Sequence, residues 1–576
     1  MSLLRRFLCA LAAVLLAAGG ALAQVQDDDD SPAAAAGLSP KPPAKLPAQD
    51  LTKQLMYEFL LGEIAGQRGS EGLAAQTFVD LAKRTRDPRV ARRAVEMAKA
   101  ARMPQQALEA ARVWTETDPE SPFAQQEMAI LLVSQKRVDD AESYLARLLG
   151  ANATAAPNLF MQLARLLAIN PDTKANLRVA QRLAAKHDAL PQAHFAVAQS
   201  AQAANDEALA LAEIRRAAVL RPDWDVAALY EAQLLQRRAP GEAVKRLAGY
   251  LEKYPDSRDV RLNYARMLVL DKRVPEARAE LARIQERYKD DQDAIYAVGI
   301  LAFQVKEYGI AEANMKRLLD MGYRDPNAAR YTLGQIAEEQ KDWGRAIDWY
   351  KGVVRGEYAL SSRVRTANAI AKQGTLADAR AYLRAVNVSG EPQRVQLLVA
   401  ESQLLREANQ HRAAFDLLGE ALTKTPDNPD LLYDQALTAE NLDRFDVLES
   451  NLKRLIQVRP DHAHAYNALG YSFADRNIRL AEAKRLIEKA LELAPNDYYI
   501  IDSMGWVLYR MGDLKGAAEQ LRRAWEGRPD GEIGAHLGEV LWQLGERDEA
   551  RRIWQEAQKQ SPENETLQKT LKRFIP

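Results

Sequence analysis

Thiol and imidazole chemistry, as nucleophile, base or metal ligand, needs cysteine or histidine in fixed geometry, and this chain of 576 residues offers one cysteine and six histidines. Cys9 lies in an apolar leader whose removal would strip the mature chain of thiols, and with them thiol nucleophiles and thiolate metal sites. His187 and His194 are separated by Pro191, a helix break, and His411 and His536 stand alone. His462 and His464 are two apart, a spacing that points different ways on a helix. No H-E-x-x-H, G-x-S-x-G or G-x-x-x-x-G-K-[ST] occurs. Carboxylates are numerous and read as solvated helix faces. The expectation is a chain without intrinsic catalysis, cofactor, metal or small-molecule substrate.

What remains is binding chemistry, and a repeat must position it. Between residues 461 and 562 one unit recurs three times. The copies carry AYNALGYSFADR with LAEAKRLIEKALELAP, DSMGWVLYRMG with LKGAAEQLRRAWEGRP, and GAHLGEVLWQLGERDEARRIWQEAQKQSP. Pro460, Pro495, Pro529 and Pro562 follow one another at 35, 34 and 33 residues. Gly470, Gly505 and Gly538 sit mid-helix, at a cost of about 1 kcal/mol against alanine that requires close approach of a second helix. Ala483, Ala517 and Ala550 open that second helix, and Ile487, Leu521 and Trp554 follow one turn later to fill the gap. Proline then ends the unit, since its ring and missing N–H cannot continue a helix. This pattern resembles the tetratricopeptide repeat.

The same template extends backwards with growing degeneracy. Leu61-Gly62 with Ala74 and Phe78, Ala107 with Trp114, Ala141 with Leu145, Ala277 with Leu281, Gly299 with Met315, and Gly334 with Ala346 and Tyr350 mark units. Residues 157–190 are weaker, being interrupted at Asn170-Pro171. Strand signals are absent. The expected fold is an all-α, right-handed tetratricopeptide superhelix of about 14 helix pairs. A degenerate array occupies 51–460, a consensus-like triplet 461–562 and a capping helix 563–576.

Counted from each repeat glycine, inward positions lie one, four and five residues after it and three and six before. They select Tyr471, Tyr499, Trp506, Tyr509, Arg510 and Trp542 in the triplet, with Asn467, Asp502 and Glu539 beside them. In the middle repeat they select Tyr331 with Gln335, Glu338 and Glu339. Tyrosine, tryptophan and arginine dominate protein-recognition energetics, so these are the candidate partner-binding residues. A clamp of inward lysines, arginines and asparagines for a peptide carboxylate is poorly matched, since only Asn467 and Arg510 fit in the triplet.

Residues 1–23 read as a secretory signal: Arg5 and Arg6, an apolar run from Phe7 to Ala17, then Ala21-Leu22-Ala23. Residues 24–50, with Asp27 to Asp30 followed by alanine and proline, read as a disordered linker. Basic and acidic residues balance at 79 each, which gives no general field for nucleic acid.

Together, the leader, the acidic and proline-rich segment and the repeats ending in AYNALGYSFADR…YYIIDSMGWVLYRMGD resemble one family. These are long bacterial envelope tetratricopeptide proteins, similar to the lipoprotein binding partner of the carboxy-terminal processing protease. The resemblance implies a non-catalytic adaptor that binds a periplasmic serine protease and presents protein substrates such as cell-wall hydrolases. The alternative is a scaffold for another envelope assembly, such as polysaccharide export, secretion or pilus biogenesis. The family member is lipid-anchored, whereas Cys9 follows Arg6-Phe7-Leu8 and makes no lipobox. An exported, periplasmic chain is therefore expected, with outer-membrane association as the alternative.

Overall fold

A computed structural model describes residues 46–47, 50–151, 154–236 and 238–575. The expected signal and residues 24–45 of the expected linker lie outside the described residues. Among the described residues there are 31 helices and no strand. They form fifteen pairs followed by a single helix, Glu565–Phe574. The chain divides into two units, 1–289 and 290–576. The first holds seven pairs, from Lys53–Gln67 to Val274–Arg287; the second holds eight, from Gln292–Gln304 to Arg547–Gln560, and then the last helix.

Local chemistry explains the helix ends. Asp87, Ser121, Asp291, Asp325, Asn428 and Asn564 precede first helices or the final one and accept backbone N–H bonds there. Pro88, Pro122, Pro191, Pro326 and Pro429 stand in the first turn, where a missing N–H costs nothing. Pro460, Pro495, Pro529 and Pro562 fall just past second helices, as their spacing predicts. In most pairs the connection between the two helices includes a left-handed residue. Gly512 and Gly545 supply it at φ +90° and +87°. Lys136, Lys272, Lys306 and Lys341 adopt the same conformation, each at a cost of about 1 kcal/mol.

Within a pair, the helices meet at one socket. A Cβ built on Gly470 would lie 2.7 Å from Ile487 Cγ1, one on Gly505 2.5 Å from Leu521 Cγ, and one on Gly538 2.1 Å from Trp554 Nε1. Gly62 with Phe78, Gly299 with Met315 and Gly334 with Tyr350 repeat the arrangement. In the first unit buried Ala98, Ala129, Ala198 and Ala265 take the small place, and Trp114, Leu145, Ile214 and Leu281, sixteen residues later in each case, take the large one.

The two ends of the array differ. Phe574 stacks on Trp554 at 5.7 Å and Leu567 is buried, so the final helix covers the last repeat. Met56, Tyr57, Leu60 and Ile64 of the Lys53–Gln67 helix stay exposed.

The socket gives a direct test. Gly538→Ala must displace the buried Trp554 ring and is expected to cost about 1–3 kcal/mol in denaturant unfolding. Gly309→Ala, where an added Cβ meets nothing within 4 Å, is expected to be neutral or stabilising by about 0.5–1 kcal/mol.

Candidate functional site

The inward positions of the triplet come from three first helices, Ala463–Asp475, Tyr498–Arg510 and Gly531–Leu544. Their side chains form one connected polar and aromatic assembly. Its centre is His536, 2 % exposed, whose Nδ1 lies 3.1 Å from both carboxylate oxygens of Asp502, itself buried. The Trp506 ring stacks on His536 at 4.1 Å and 22°. Burial alone would lower the imidazole pKa, but Asp502, aided by Glu532 and Glu539, raises it to about 9. The Asp502 carboxylate thus favours the protonated imidazole.

Around this pair the remaining groups are paired across repeats. Tyr509 donates to Glu539 Oε1 at 3.0 Å, and burial together with that carboxylate pushes the phenol up to about 12. Arg573 of the final helix contacts the other Glu539 oxygen. The Tyr471 hydroxyl lies 3.5 Å from Glu532 two repeats away, and its ring is 6.2 Å from His536. Burial, with Glu532, Asp475, Asp502 and Glu440, holds that phenol well above its usual range. Glu440, from the preceding repeat, is itself raised by burial, against the pull of Arg476.

The other candidates sit nearer the surface. Arg510 donates to the Asp475 carbonyl at 3.1 Å. Tyr499 is half-buried, with the Arg528 guanidinium 4.8 Å above its ring. The Trp542 ring packs tilted against Trp554 and Phe574, at 5.7 and 6.0 Å, and carries Arg547 and Arg551 over its face at 5.1 and 5.5 Å. Tyr331 belongs to a separate cluster on the Pro326–Glu339 helix. It stacks on Tyr358 at 4.8 Å and accepts from Arg365 Nε at 3.0 Å, while Arg365 also holds Glu338 at 2.7 Å.

Three expectations change. Trp506 is only 6 % exposed and belongs to the core of its repeat pair, so it does not stand free on the inner face. His536 does not stand alone; its partners are 34 and 30 residues away in sequence, invisible to local spacing. Nor are all carboxylates solvated: Glu231, Glu280 and Glu401 are nearly fully buried, each clamped by two arginines. Sequence offered one signal for His536, since the matching positions of the two preceding repeats carry the small residues Ala468 and Ser503. Among the described residues no group of three or more histidines, cysteines and carboxylates could hold a metal ion, and no helix is long and apolar enough to cross a membrane.

The ion pair predicts a pH dependence with a defined sign. His536 has a folded pKa of about 9 against an unfolded value of about 6.5, so its contribution is fully present below about pH 6.5. It is lost as pH rises through 9. Urea midpoints measured from mildly acidic to alkaline pH should fall across that window, and His536→Gln should flatten the fall. Trp506→Ala should lower stability by about 3–5 kcal/mol, as expected for an aromatic in the core.

Comparison with known proteins follows the same repeats. Tetratricopeptide repeat models match residues 234–298, 296–362 and 503–565. A TPR repeat-containing protein of Pseudomonas aeruginosa, PA4667, is 33% identical over 490 residues, covering 84% of this chain and 82% of that protein. Cellulose synthase operon protein C of Pseudomonas fluorescens is 25% identical over 337 residues, covering 48% of this chain and only 26% of that protein. Among solved structures, a tetratricopeptide repeat protein from Parabacteroides merdae aligns with 43% of this chain and 97% of its own at 16% identity and a TM-score of 0.34. The APC/C hetero-tetramer Cut9–Hcn1 aligns with 91% of this chain and 97% of its own at 13% identity and a TM-score of 0.33. With small-residue sockets repeated through both units and a relative that matches over most of both lengths, the chain belongs to the tetratricopeptide-repeat proteins.

Proposed function

We propose that this chain is a non-catalytic envelope adaptor that binds a carboxy-terminal processing protease and presents protein substrates such as cell-wall hydrolases to it. The observation that carries the scaffold reading is the inner assembly of the triplet: the half-buried rings of Tyr499, Tyr509 and Trp542 and their paired charges lie on first-helix faces that the sockets do not use. The protease as partner rests on the resemblance of Ala465–Asp513 to the protease-binding family. Export to the periplasm is part of the proposal, and rests on the leader sequence.

A second reading, a scaffold for exopolysaccharide export, is favoured by the partial similarity to cellulose synthase operon protein C. Affinity capture from the periplasmic fraction separates the two, through recovery of a processing protease or of a polysaccharide-export complex. In reconstitution, the purified chain is expected to leave a cell-wall hydrolase intact and to accelerate its cleavage once the protease is added. Absence of both capture and stimulation rejects the adaptor. Tyr499→Ala and Tyr331→Ala remove half-buried aromatics, the second of which packs against the socket residue Tyr350. If those rings touch the partner, each should weaken capture by about 2 kcal/mol in Kd with the fold retained by circular dichroism.

A further inference from the structure

The first helix of the array presents an interior face that no repeat covers among the described residues. Counted from the socket glycine, later first helices bury the positions five and two before it and two after. From Gly505 these are Ile500, Ser503 and Val507; from Gly538 they are Ile533, His536 and Val540, and all six are buried. The preceding pair supplies the cover: Ile500 and Val507 share a core with Leu469 and Ile487, and His536 meets Asp502 and Trp506. The same count from Gly62 gives Tyr57, Leu60 and Ile64 on the Lys53–Gln67 helix. They are 65, 51 and 46 % exposed.

The residue types sharpen the contrast. Two before the glycine, later repeats carry small or polar residues, as at Thr332, Ala468 and Ser503, whereas the first helix carries leucine. Spaced three and four apart, Tyr57, Leu60 and Ile64 form one continuous stripe. The carboxylates of this helix are committed within the chain, Glu63 to Arg93 at 2.7 Å and Glu58 to Arg84. The stripe is therefore apolar, with Lys53 and Gln67 at its two ends.

Whatever covers such a stripe must itself be apolar. Beyond alanine and proline, residues 24–45 hold only Val25 and Leu38 as larger apolar side chains. The final helix leaves Glu565, Gln568, Lys569 and Lys572 exposed, so a head-to-tail stack would set charges against an apolar face. The same stripe on a second copy matches it in polarity and length. Leu60 is the middle residue of Lys53–Gln67, so two of these helices crossing antiparallel place Leu60 on Leu60, Tyr57 over Ile64 and Lys53 beside Gln67. No like charges meet. Leu51 and Met56 lie exposed at the edge. With them each copy contributes on the order of 500 Å² of apolar surface, and the pair buries about 1,000 Å², the low end for a specific interface.

We propose that two copies of this chain associate head to head through their Lys53–Gln67 helices, about a two-fold axis at Leu60. The contact is isologous, so it closes at two, and its size makes it reversible. It goes beyond the adaptor reading, which concerns what the scaffold holds and not how many scaffolds stand together.

The test is sedimentation velocity of the purified chain, residues 24–45 retained, across the micromolar range. The wild type is expected to pass from monomer to dimer as concentration rises. Leu60→Glu and Leu60→Lys, each alone, are expected to weaken association at least about a hundredfold, because two like charges would be buried on the axis. Mixing the two variants is expected to restore the dimer. At dilution Leu60→Glu should melt with the wild type, since Leu60 is half exposed in a single copy. A wild type that stays monomeric, or a mixture that does not recover the dimer, overturns the proposal. In the monomeric case a lowered melting temperature for Leu60→Glu assigns the face to residues 24–45, and an unchanged one with lost protease capture assigns it to the protease. Association is measured without protease, so the adaptor reading stands or falls separately.

Discussion

Everything in both units depends on one steric condition: a small residue on the first helix of a pair must admit one large side chain from the second. Where the small residue is glycine, the space for even a methyl group is already taken, by Ile487, Leu521 or Trp554 in the triplet. The identity of the large residue is free, from methionine to tryptophan, because the socket fixes volume and direction and leaves shape to the neighbours. That tolerance lets one template recur in both units while the sequence drifts. Each pair buries its apolar stripe only when stacked, so the condition is met repeat by repeat along the chain.

The buried charges follow a second rule. A carboxylate enters the interior of these repeats only with arginines or a histidine closing around it, as at Glu231, Glu280, Glu401 and Asp502. Glu231 joins Arg215 from the previous repeat with Arg246 from its own, and Glu401 is held by Arg380 and Arg384 of the repeat before it. Such clamps add little net free energy after desolvation, but breaking one leaves a stranded charge, which penalises any misaligned stacking. Register between repeats is thereby fixed by charge as well as by volume.

How much of this was legible depended on distance along the chain. The sockets could be read because both members lie within one repeat, sixteen or seventeen residues apart, and belong to a recurrent pattern. Proline positions and the final helix were readable for the same reason. The inner face was readable only as a list of positions. Trp506 occupied an inward position yet turned out to be covered, because His536 stacks on it from the next repeat. The same holds for Tyr331, whose neighbours Tyr358 and Arg365 arrive from a connecting turn and the following helix. Inter-repeat pairing is a property of two positions about 34 residues apart, and no local periodicity reports it.

One contact breaks the nearest-neighbour rule on which repeat arrays are usually understood. Tyr471 reaches past the middle repeat to Glu532 and the His536 ring in the third. In a one-dimensional chain of units, a bond between second neighbours means that the middle unit cannot melt without cutting contacts it does not itself make. The three repeats are therefore expected to unfold more cooperatively than an array with contacts between adjacent units alone. A partner that grips any one of the three thereby stiffens the other two, so the C-terminal end of this scaffold would take a load as a rod and not as a spring.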